Sequence, residues 1–330
     1  MGEVSDAEIL AAFLAADGGY VSGSSIAEDT GVSRAAVWGR LERLRTEGFA
    51  FEAIRNRGYR LETIPEALHP ALLAAHLLRL ACPANLHFLA ETDSTNTQAE
   101  RLLAEGEHTP FVVVAGRQTA GRGRRGREWF SQDPGNLTLS LALRPQLPPA
   151  RMQTFTLWMG LSTSLAINEL CGVSLKVKWP NDLHWNGKKV AGMLTEARSD
   201  SEMLRDLVFG IGLNVNGVTD EYPPEVRRVA GSLREAVGRV FDLNETAAKL
   251  ICALQKACDT FLEDCYRETF REQWPLHDAL TGQEVTVSLA DGEIVGEYLG
   301  IDETGTLRLR LPDGQERQFA AGDVTLRKQK

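Results

Sequence analysis

The hydrophobic pattern of the first 65 residues predicts short helices followed by a hairpin. Ser33 is placed to cap the third helix and Gly48 to end it, while residues 23–25 offer a cap for the second. Beyond Gly48, apolar and polar residues alternate as in a β-hairpin. The predicted elements are helices over residues 6–15, 26–30 and 33–48 and a hairpin over residues 49–61 with its tip at residues 56–58. This order is typical of a winged helix-turn-helix.

Residues 66–277 alternate helical and strand-like stretches, a pattern typical of a mixed α/β domain. The predicted strands cover residues 111–115, 137–143, 175–179, 189–196 and 207–215, and the predicted helices cover residues 97–105, 154–170 and 245–272. From residue 278 to the end at residue 330, apolar and polar residues alternate between Asp-Gly and Thr-Gly turns at residues 291–292, 304–305 and 313–314. That texture predicts a small β-barrel, so we expect three domains, over residues 1–65, 66–277 and 278–330.

Charge is distributed unevenly along the chain. The net charge of −9 argues against a protein that coats nucleic acid non-specifically. The third helix and the hairpin nevertheless carry seven arginines against three glutamates, a local +4 that suits a phosphate backbone. The candidate DNA contacts are Ser33, Arg34, Ala35, Trp38, Arg40 and Arg57. A solvated helix, or a module used only for protein contacts, is the alternative.

The start of the chain has no basic, apolar signal-peptide pattern, and no apolar run approaches the length of a membrane span. The five cysteines show neither CxxC pairing nor metal-ligand spacing. We therefore expect a cytoplasmic protein that does not enter a membrane.

The stretch GRGRRGREW, residues 121–129, contains a literal GxGxxG. A dinucleotide loop needs a helix after these glycines, whereas the residues that follow predict a turn and a strand. The arginines at positions 122, 124, 125 and 127 suit carboxylate or phosphate groups, and we expect them to repel one another in the absence of an anion. A small anionic ligand, a nucleic acid and a merely basic surface loop all remain open for this stretch.

Three further segments carry polar residues at places where a ligand could bind. The turn Asn186-Gly187 predicts a hairpin that brings Asp182 near Lys189, and Ala191-Gly192 leaves space for a bulky group. Residues 95–98 fit a T-x-x-Q capping box, which places Ser94, Thr95 and Asn96 at a helix start. Asn214 ends a strand where it could face a phosphate or a metal-bound water. A surface ion pair and simple helix capping are the structural alternatives.

Taken in order, GRGRRGREW, KWPNDL, KKVAGML and GIGLNVN, with STN upstream, closely resemble biotin protein ligases. The stretches SRAAVWGRLERLRTEG and RNRGYRL resemble the bifunctional bacterial members, which also repress biotin-synthesis operons. The resemblance implies a winged helix-turn-helix, a central mixed α/β domain like those of class II synthetases and lipoate ligases, and an SH3-like C-terminal barrel.

The resemblance also implies the chemistry and the partners. Biotin and Mg²⁺-ATP give biotinyl-5′-AMP and pyrophosphate, and a lysine of the biotin carboxyl carrier protein of acetyl-CoA carboxylase then takes the biotin. The adenylate promotes a homodimer that binds operator DNA. A biotin sensor without catalysis and a lipoate ligase-like enzyme are the competing hypotheses.

Site residues are implied by matching motifs. The residues implied to bind biotin are Ser94, Thr95, Asn96, Gln118, Gly121, Arg122, Gly123, Arg124, Lys189 and Gly192. Those implied to contact ATP or the adenylate are Arg124, Trp129, Asn181, Asn214 and Arg327, with magnesium near Asn214. Arg122, Arg124, Asp182 and Lys189 are the implied catalytic group.

Overall fold

The protein divides into two compact units, each with its own core. The computed structural model describes residues 6–200, 202–289 and 292–326. The first unit contains the chain up to residue 84 together with residues 241–252, and the second contains residues 85–240 and the chain from residue 253 onward.

The first unit is a helical domain with a two-stranded wing. Its elements are α1 (Asp6–Ala15), α2 (Gly23–Thr30), α3 (Arg34–Thr46), β1 (Ala50–Ile54), β2 (Gly58–Thr63) and α4 (Pro70–Arg79). The largest of its fully buried side chains are those of Ile9, Leu10, Ile26, Leu41, Leu44 and Leu72. The strands pair antiparallel from Phe51–Leu61 to Ile54–Gly58, so the predicted winged helix-turn-helix is confirmed.

The helix starts in this unit follow the chemistry of their caps. The Ser33 side chain accepts a hydrogen bond from the Ala36 backbone N–H at 3.1 Å, which confirms the predicted cap of α3. The second helix begins earlier than expected, at Gly23, because Ser22 adopts an extended backbone and caps it. Val37, Leu41 and Leu44 of α3 are buried, whereas Ala36 is exposed.

Asn244 holds the segment that leads from the wing into α4. This residue lies in the first turn of α9 (Leu243–Leu262), whose residues 243–252 belong to the first unit. It is fully buried, its Oδ1 accepts from the His69 backbone N–H at 2.8 Å, and its Nδ2 donates to the Ala67 carbonyl at 3.1 Å. A buried amide with both ends paired fixes the backbone that it contacts.

The second unit is built on a seven-stranded mixed sheet. The strands lie in the order β3-β4-β5-β9-β8-β7-β6, and only β3 and β4 pair in parallel. These strands are β3 (Leu86–Leu89), β4 (Phe111–Ala115), β5 (Leu137–Leu143), β6 (Lys176–Lys178), β7 (Asp182–Trp185), β8 (Lys188–Ser199) and β9 (Leu204–Leu213). The predictions for β4 and β5 are confirmed to the residue.

Helices cover both faces of this sheet. On one face α5 (Thr95–Ala104) packs its Ala99 and Leu103 against Val208. On the other, Phe155 of α6 (Met152–Cys171) contacts Phe209 edge to face, with ring centroids 6.2 Å apart. Neighbouring residues of one strand face opposite sides of the sheet. Because both sides are covered, the strands are nearly continuous apolar runs in the sequence.

The single helix predicted over residues 245–272 is wrong, because the chain forms two. Helix α9 ends at Leu262, and α10 (Arg267–His277) follows a turn in which Asp264 has a left-handed φ of 60°. Tyr266 is buried in the turn with its ring 4.5 Å from that of Phe261, and Arg267 donates to the Asp264 carboxylate at 2.8 Å. Aromatic packing and this local ion pair therefore bend the chain without glycine or proline. The short helices α7 (Pro224–Arg227) and α8 (Leu233–Val237) precede α9.

The C-terminal segment forms the predicted antiparallel barrel-like sheet, in the order β13-β12-β11-β10-β14. Its strands are β10 (Glu284–Leu289), β11 (Gly292–Ile301), β12 (Leu307–Arg310), β13 (Glu316–Phe319) and β14 (Asp323–Leu326). Gly305 and Gly314 have positive φ in the two predicted turns, while Asp291 of the remaining turn lies outside the described residues. No helix within the described ranges is long and apolar enough to span a membrane.

We predict that Asn244→Ala lowers the free energy of unfolding of the first unit by about 1–3 kcal/mol, because two partly buried hydrogen bonds, to the His69 N–H and the Ala67 carbonyl, are lost at about 0.5–1.5 kcal/mol each. Thermal or urea unfolding monitored by circular dichroism measures the change. Asn85→Ala, the same substitution at an exposed asparagine, should cost under about 0.5 kcal/mol. Equal stability of the two variants would contradict the role assigned to Asn244.

Candidate functional site

The candidate site lies on the face of the large sheet that α5 covers, next to the N-terminus of that helix. Strands β5, β9 and β8 place Ser140, Gly210 and Leu194 in one cross-strand row, and Thr138, Gly212 and Gly192 in the next. Glycine inside a strand weakens it and marks a close approach. The glycines thus form a floor on which other groups can rest directly against backbone.

Trp129 occupies this floor. A Cβ at Gly212 would lie 2.2 Å from the Trp129 indole, and a Cβ at Gly192 would lie 2.9 Å from it. The space that Ala191-Gly192 was predicted to leave is therefore filled by a residue of the arginine loop. Phe130 turns the other way and packs against Tyr222, with ring centroids 5.0 Å apart.

A buried polar network forms the deep wall of the site. Gln118 Oε1 accepts from the Thr95 backbone N–H at 2.7 Å and from its hydroxyl at 3.1 Å, while Gln118 Nε2 donates to Ser131 Oγ at 3.2 Å. Ser140 Oγ lies 2.8 Å from Thr95 Oγ1 and 2.6 Å from Asn96 Oδ1. These side chains are buried, and their mutual hydrogen bonds fix the direction of each donor.

The predicted capping box at residues 95–98 is wrong. Ser94 is the N-cap of α5, and it makes no side-chain capping bond. The Thr95 hydroxyl contacts Gln118 instead, so it belongs to the wall of the site. Gln98 donates its backbone N–H to the Ser94 carbonyl, the first bond of the helix ladder.

The β7–β8 hairpin brings Asp182 and Lys189 together, as the Asn186-Gly187 turn predicted. Both turn residues have positive φ, 47° and 78°, and Lys189 Nζ lies 2.7 Å from Asp182 Oδ1. Burial alone would raise the pKa of Asp182, but its interactions with His184 and Lys189 outweigh burial and hold the pKa below the usual 3.8. The carboxylate thus stays ionised at neutral pH and directs the ammonium.

Lys189 also lies 5.4 Å from the centre of the Trp129 ring. This places one cation over the indole ring. Lys178 lines the same cavity, and burial lowers the pKa of its ammonium from the usual value. Sequence reasoning missed Lys178, although it immediately precedes the Trp-Pro-Asn-Asp motif.

Two residues of that motif anchor the hairpin. Trp179 is buried, and its indole N–H donates to the Gly305 carbonyl of the C-terminal sheet at 3.0 Å. Gln153 donates to the same carbonyl at 2.7 Å. Asn181 Nδ2 donates to the Met193 carbonyl at 2.6 Å, and Asn181 Oδ1 accepts from Arg124 Nη1 at 3.2 Å.

The arginines of the loop are neutralised by carboxylates of the protein, so the mutual repulsion expected in the absence of an anion is offset. Arg124, Arg125 and Arg127 all pair with Asp323 of β14, at 4.0 Å for Arg124 and 3.6 Å for Arg125. Burial lowers the pKa of Arg124, the least exposed of the three. Arg125 and Arg127 therefore have a carboxylate partner that sequence reasoning missed.

The loop is also closed on itself by its backbone. Gly123 donates to the Arg127 carbonyl at 2.7 Å, and Trp129 donates to the Gly121 carbonyl at 2.9 Å. A Cβ at Gly121 would lie 2.5 Å from the Trp129 carbonyl, so this close approach requires glycine. The first arginine, Arg122, leaves the group and pairs with Glu196 of β8 and, at 3.5 Å, with Glu100 of α5.

These elements enclose a cavity of about 300 Å³. The predicted residues that line it are Ser94, Thr95, Asn96, Gln118, Arg122, Gly123, Arg124, Trp129, Asn181, Asp182, Lys189 and Gly192. The sequence had not singled out Ser140, Gly210, Gly212 or Asp323 individually. A cavity with a neutral polar wall, an indole and several cations fits a ligand that is part urea-like, part planar and part anionic.

Two predicted residues lie outside this lining. Gly121 accepts the backbone hydrogen bond from Trp129 that closes the loop. Asn214 is buried, and its Nδ2 donates to the Gly231 carbonyl at 3.0 Å, so the described geometry gives no support to its predicted contact with phosphate or magnesium. Arg327 lies outside the described residues. The described residues hold no group of three or more His, Cys, Asp or Glu side chains able to bind a metal ion.

The first unit carries a separate candidate nucleic-acid interface. Ser33, Arg34 and Ala35 are exposed at the start of α3, and the Trp38 side chain is 56% exposed one turn later. Arg57 lies at the tip of the wing with its guanidinium 4.5 Å from the centre of the Tyr20 ring. A winged helix-turn-helix presents the start of its third helix and the tip of its wing to DNA.

Ion pairs reduce the charge of this face. Arg40 and Arg43 both pair with Asp6, and Arg45 pairs with Glu42. Arg60 pairs with Glu52 and Glu62. The net charge of +4 predicted from the sequence did not include Asp6 and Glu62. With these two carboxylates the net charge of this face falls to +2. Of the predicted contacts, Arg40 is the one that is already neutralised.

Family profiles match all three segments of the chain. The biotin/lipoate A/B protein ligase family profile matches residues 88–214, an HTH domain profile matches residues 7–60, and the biotin protein ligase C-terminal domain profile matches residues 280–327. Among solved structures, the biotin protein ligase from Aquifex aeolicus in complex with biotin and ATP is similar, with a TM-score of 0.63 and 33% identity over 74% of this chain and 99% of that chain.

Two curated relatives match nearly from end to end. The bifunctional ligase/repressor BirA of Bacillus spizizenii is 31% identical over 319 residues, which cover 97% of this chain and 98% of the relative. The protein of the same name from Escherichia coli is 32% identical over 322 residues, covering 95% of each. The chain therefore belongs to the family of bifunctional biotin protein ligases and repressors.

Proposed function

We propose that the cavity of the second unit activates biotin with ATP and transfers it to a lysine of the biotin carboxyl carrier protein of acetyl-CoA carboxylase. The observation that carries this proposal is the Asp182–Lys189 pair at 2.7 Å, whose ammonium lies over an indole that rests on glycine. A pair so placed can hold a carboxylate and a phosphate side by side.

In the first step a biotin carboxylate oxygen attacks the α-phosphorus of ATP, and the bond to pyrophosphate breaks. Two anions must approach each other, so the step needs fixed positive charge where negative charge accumulates. Lys189 supplies that charge, with Asp182 fixing its direction, and Arg124 adds a second cation that Asn181 orients. The wall of Ser94, Thr95, Asn96 and Gln118 receives the urea-like head of biotin, and Gly123 and Gly192 line the same cavity.

In the second step the amine of the carrier lysine attacks the acyl carbon, AMP leaves, and the amine loses a proton. Between the two steps the mixed anhydride must be kept from water. Trp129 offers a flat surface to the adenine, and Arg122 and Arg124 belong to the loop that covers the intermediate. Catalysis here consists mainly of positioning and charge.

Magnesium enters as part of the substrate Mg²⁺-ATP. The described residues offer no cluster of three metal-binding side chains, and Mg²⁺ at such sites is commonly held by the substrate phosphates and one or two carboxylates. We therefore assign it no separate protein site. Arg327, implied by resemblance to reach the nucleotide, remains a prediction.

The first unit binds operator DNA of biotin-synthesis genes and represses their transcription. A face of only +2 binds a single half-site weakly, so pairing two winged helices in a homodimer is required for tight binding. We propose that biotinyl-5′-AMP promotes this dimer, which acts in the cytoplasm.

One assay separates this proposal from a biotin sensor and from a lipoate ligase. The protein is incubated with Mg²⁺-ATP, labelled biotin and a carrier domain, and pyrophosphate and labelled carrier are measured. A ligase gives both products. Biotin binding without pyrophosphate release indicates a sensor. Labelling of the carrier only when labelled lipoate replaces biotin indicates a lipoate ligase. A sensor has no need for the Asp182–Lys189 pair.

We predict that Lys189→Met lowers the rate of biotin-dependent pyrophosphate release by on the order of 100-fold, because one charged group at the developing charge is lost. Stopped-time assays at saturating biotin and ATP measure the rate. Lys188→Met is the matched control, since Lys188 points away and donates to the Arg228 carbonyl at 2.9 Å. A rate for Lys189→Met equal to that of its control would show that the lysine is misassigned.

We predict that Gly212→Ala raises the KM for ATP by about tenfold, because the new methyl group displaces Trp129 from its floor. Pyrophosphate release at varied ATP concentration measures it. Gly39→Ala, at a position with no neighbouring atom within 4 Å, should leave the KM unchanged. An unchanged KM for Gly212→Ala would mean that the indole does not contact the nucleotide.

We predict that Arg34→Ala weakens operator binding and reduces the slope of log K against log salt by about 1, as expected for the loss of one phosphate contact. Fluorescence anisotropy at several salt concentrations measures both. Arg43→Ala serves as control because Arg43 is already paired with Asp6. The assignment fails if the two variants change the slope equally.

A further inference from the structure

Glu196 bridges two parts of the site that neither the sequence nor the resemblance connects. It lies on β8, in the cross-strand row of Val208 and Ala142, one row away from Ser140 and Gly210. Its side chain therefore faces the first turn of α5. Its Oε2 accepts from Asn96 Nδ2 at 2.8 Å, and its Oε1 pairs with Arg122.

The contact with Glu196 fixes the orientation of the buried Asn96 side-chain amide. A carboxylate only accepts hydrogen bonds, so Asn96 must present its NH₂ group to Glu196 and its oxygen to Ser140, 2.6 Å away. The Leu194 carbonyl, 3.3 Å from Asn96 Nδ2, requires the same orientation. A Cβ at Gly210 would lie 2.0 Å from Asn96 Oδ1, so the amide has no room to move toward the sheet.

The contact with Arg122 fixes the start of the arginine loop. The Arg122 side chain is 40% exposed and that of Glu196 only 22%, so the carboxylate is the better-ordered partner. Glu100 also approaches Arg122, at 3.5 Å, but it is not among the partners of Asn96. Glu196 is therefore the residue through which the wall and the loop share one carboxylate.

We propose that Glu196 is a positioning residue of the biotin site that couples the orientation of Asn96 to the docking of Arg122. This inference rests on the proposed ligase function. With Glu196 in place, the wall presents a single hydrogen-bonding pattern to the biotin head, and the loop remains closed over the intermediate. The residue contacts neither reacting group, so it acts on binding and retention, and the chemistry of transfer is independent of it.

Glu196→Gln tests the inference at constant size. A glutamine replaces one of the two acceptor oxygens by an NH₂ group, so it keeps either the contact with Asn96 or the contact with Arg122 and loses the other. We expect the KM for biotin and the rate of adenylate release each to rise about fivefold, the scale of a partly exposed ion pair. The transfer rate from preformed adenylate at saturating carrier should change less than twofold. Glu100→Gln removes the same charge beside Arg122 and should change every value less than twofold.

A second measurement keeps the test valid if Glu196→Gln also lowers the melting temperature. In a double-mutant cycle with Arg122→Gln, the second substitution should add little to adenylate release, because both remove the same contact. Fully additive effects, or equal effects of Glu196→Gln and Glu100→Gln, would overturn the role of Glu196 alone. Absence of biotin-dependent pyrophosphate release by the unaltered protein would overturn the proposed function and this role with it.

Discussion

The close approach of the Trp129 indole to strand backbone is the constraint on which the catalytic unit depends. Only glycine at positions 192 and 212 permits it, and these two residues face each other across β8 and β9. The indole in turn sets the distance to Lys189, and through Lys189 to Asp182. A steric requirement of the sheet thus fixes where the indole lies, and Asp182 directs the ammonium above it.

Charge balance gives the site its second constraint. Every arginine of the loop has a carboxylate partner, on β8, on α5 or on β14. Most of these pairs are partly exposed and contribute little stability, about 0–1 kcal/mol each. Weak pairs are well suited to exchange, because a phosphate or carboxylate can replace a carboxylate of the protein at small cost. The loop is therefore ordered by internal anions of the same chemistry as its ligands.

Local patterns predicted much of this architecture, and the misses have physical causes. The Ser33 cap, the Asn186-Gly187 turn and the strands at 111–115 and 137–143 depend on nearest neighbours, so the sequence suffices for them. The break between α9 and α10 has no glycine or proline, since packing of Tyr266 against Phe261 produces it.

Long-range pairings account for the misses in the site. Asp323 joins the arginine loop across 196 residues of sequence, and Glu196 joins Asn96 across 100. Neither has a local signal. The Asp182–Lys189 pair was predictable because the Asn186-Gly187 turn sets the spacing of two hairpin strands, whereas the other site residues were implied by the resemblance of their motifs. Asn214 belongs to a motif but is used for a backbone contact, which spacing cannot reveal.

The Gly305 carbonyl, which accepts from both Trp179 and Gln153, limits how this chain can be divided. If the C-terminal sheet were removed, a fully buried indole N–H in the Trp-Pro-Asn-Asp motif would lose its only described acceptor, at a cost of about 1–3 kcal/mol. The loss would fall directly beside Asn181 and Asp182. The small C-terminal domain is thus part of the folding unit of the Trp-Pro-Asn-Asp hairpin, and recombination that exchanged it between relatives would have to preserve the position of this backbone carbonyl as well as the Asp323 carboxylate.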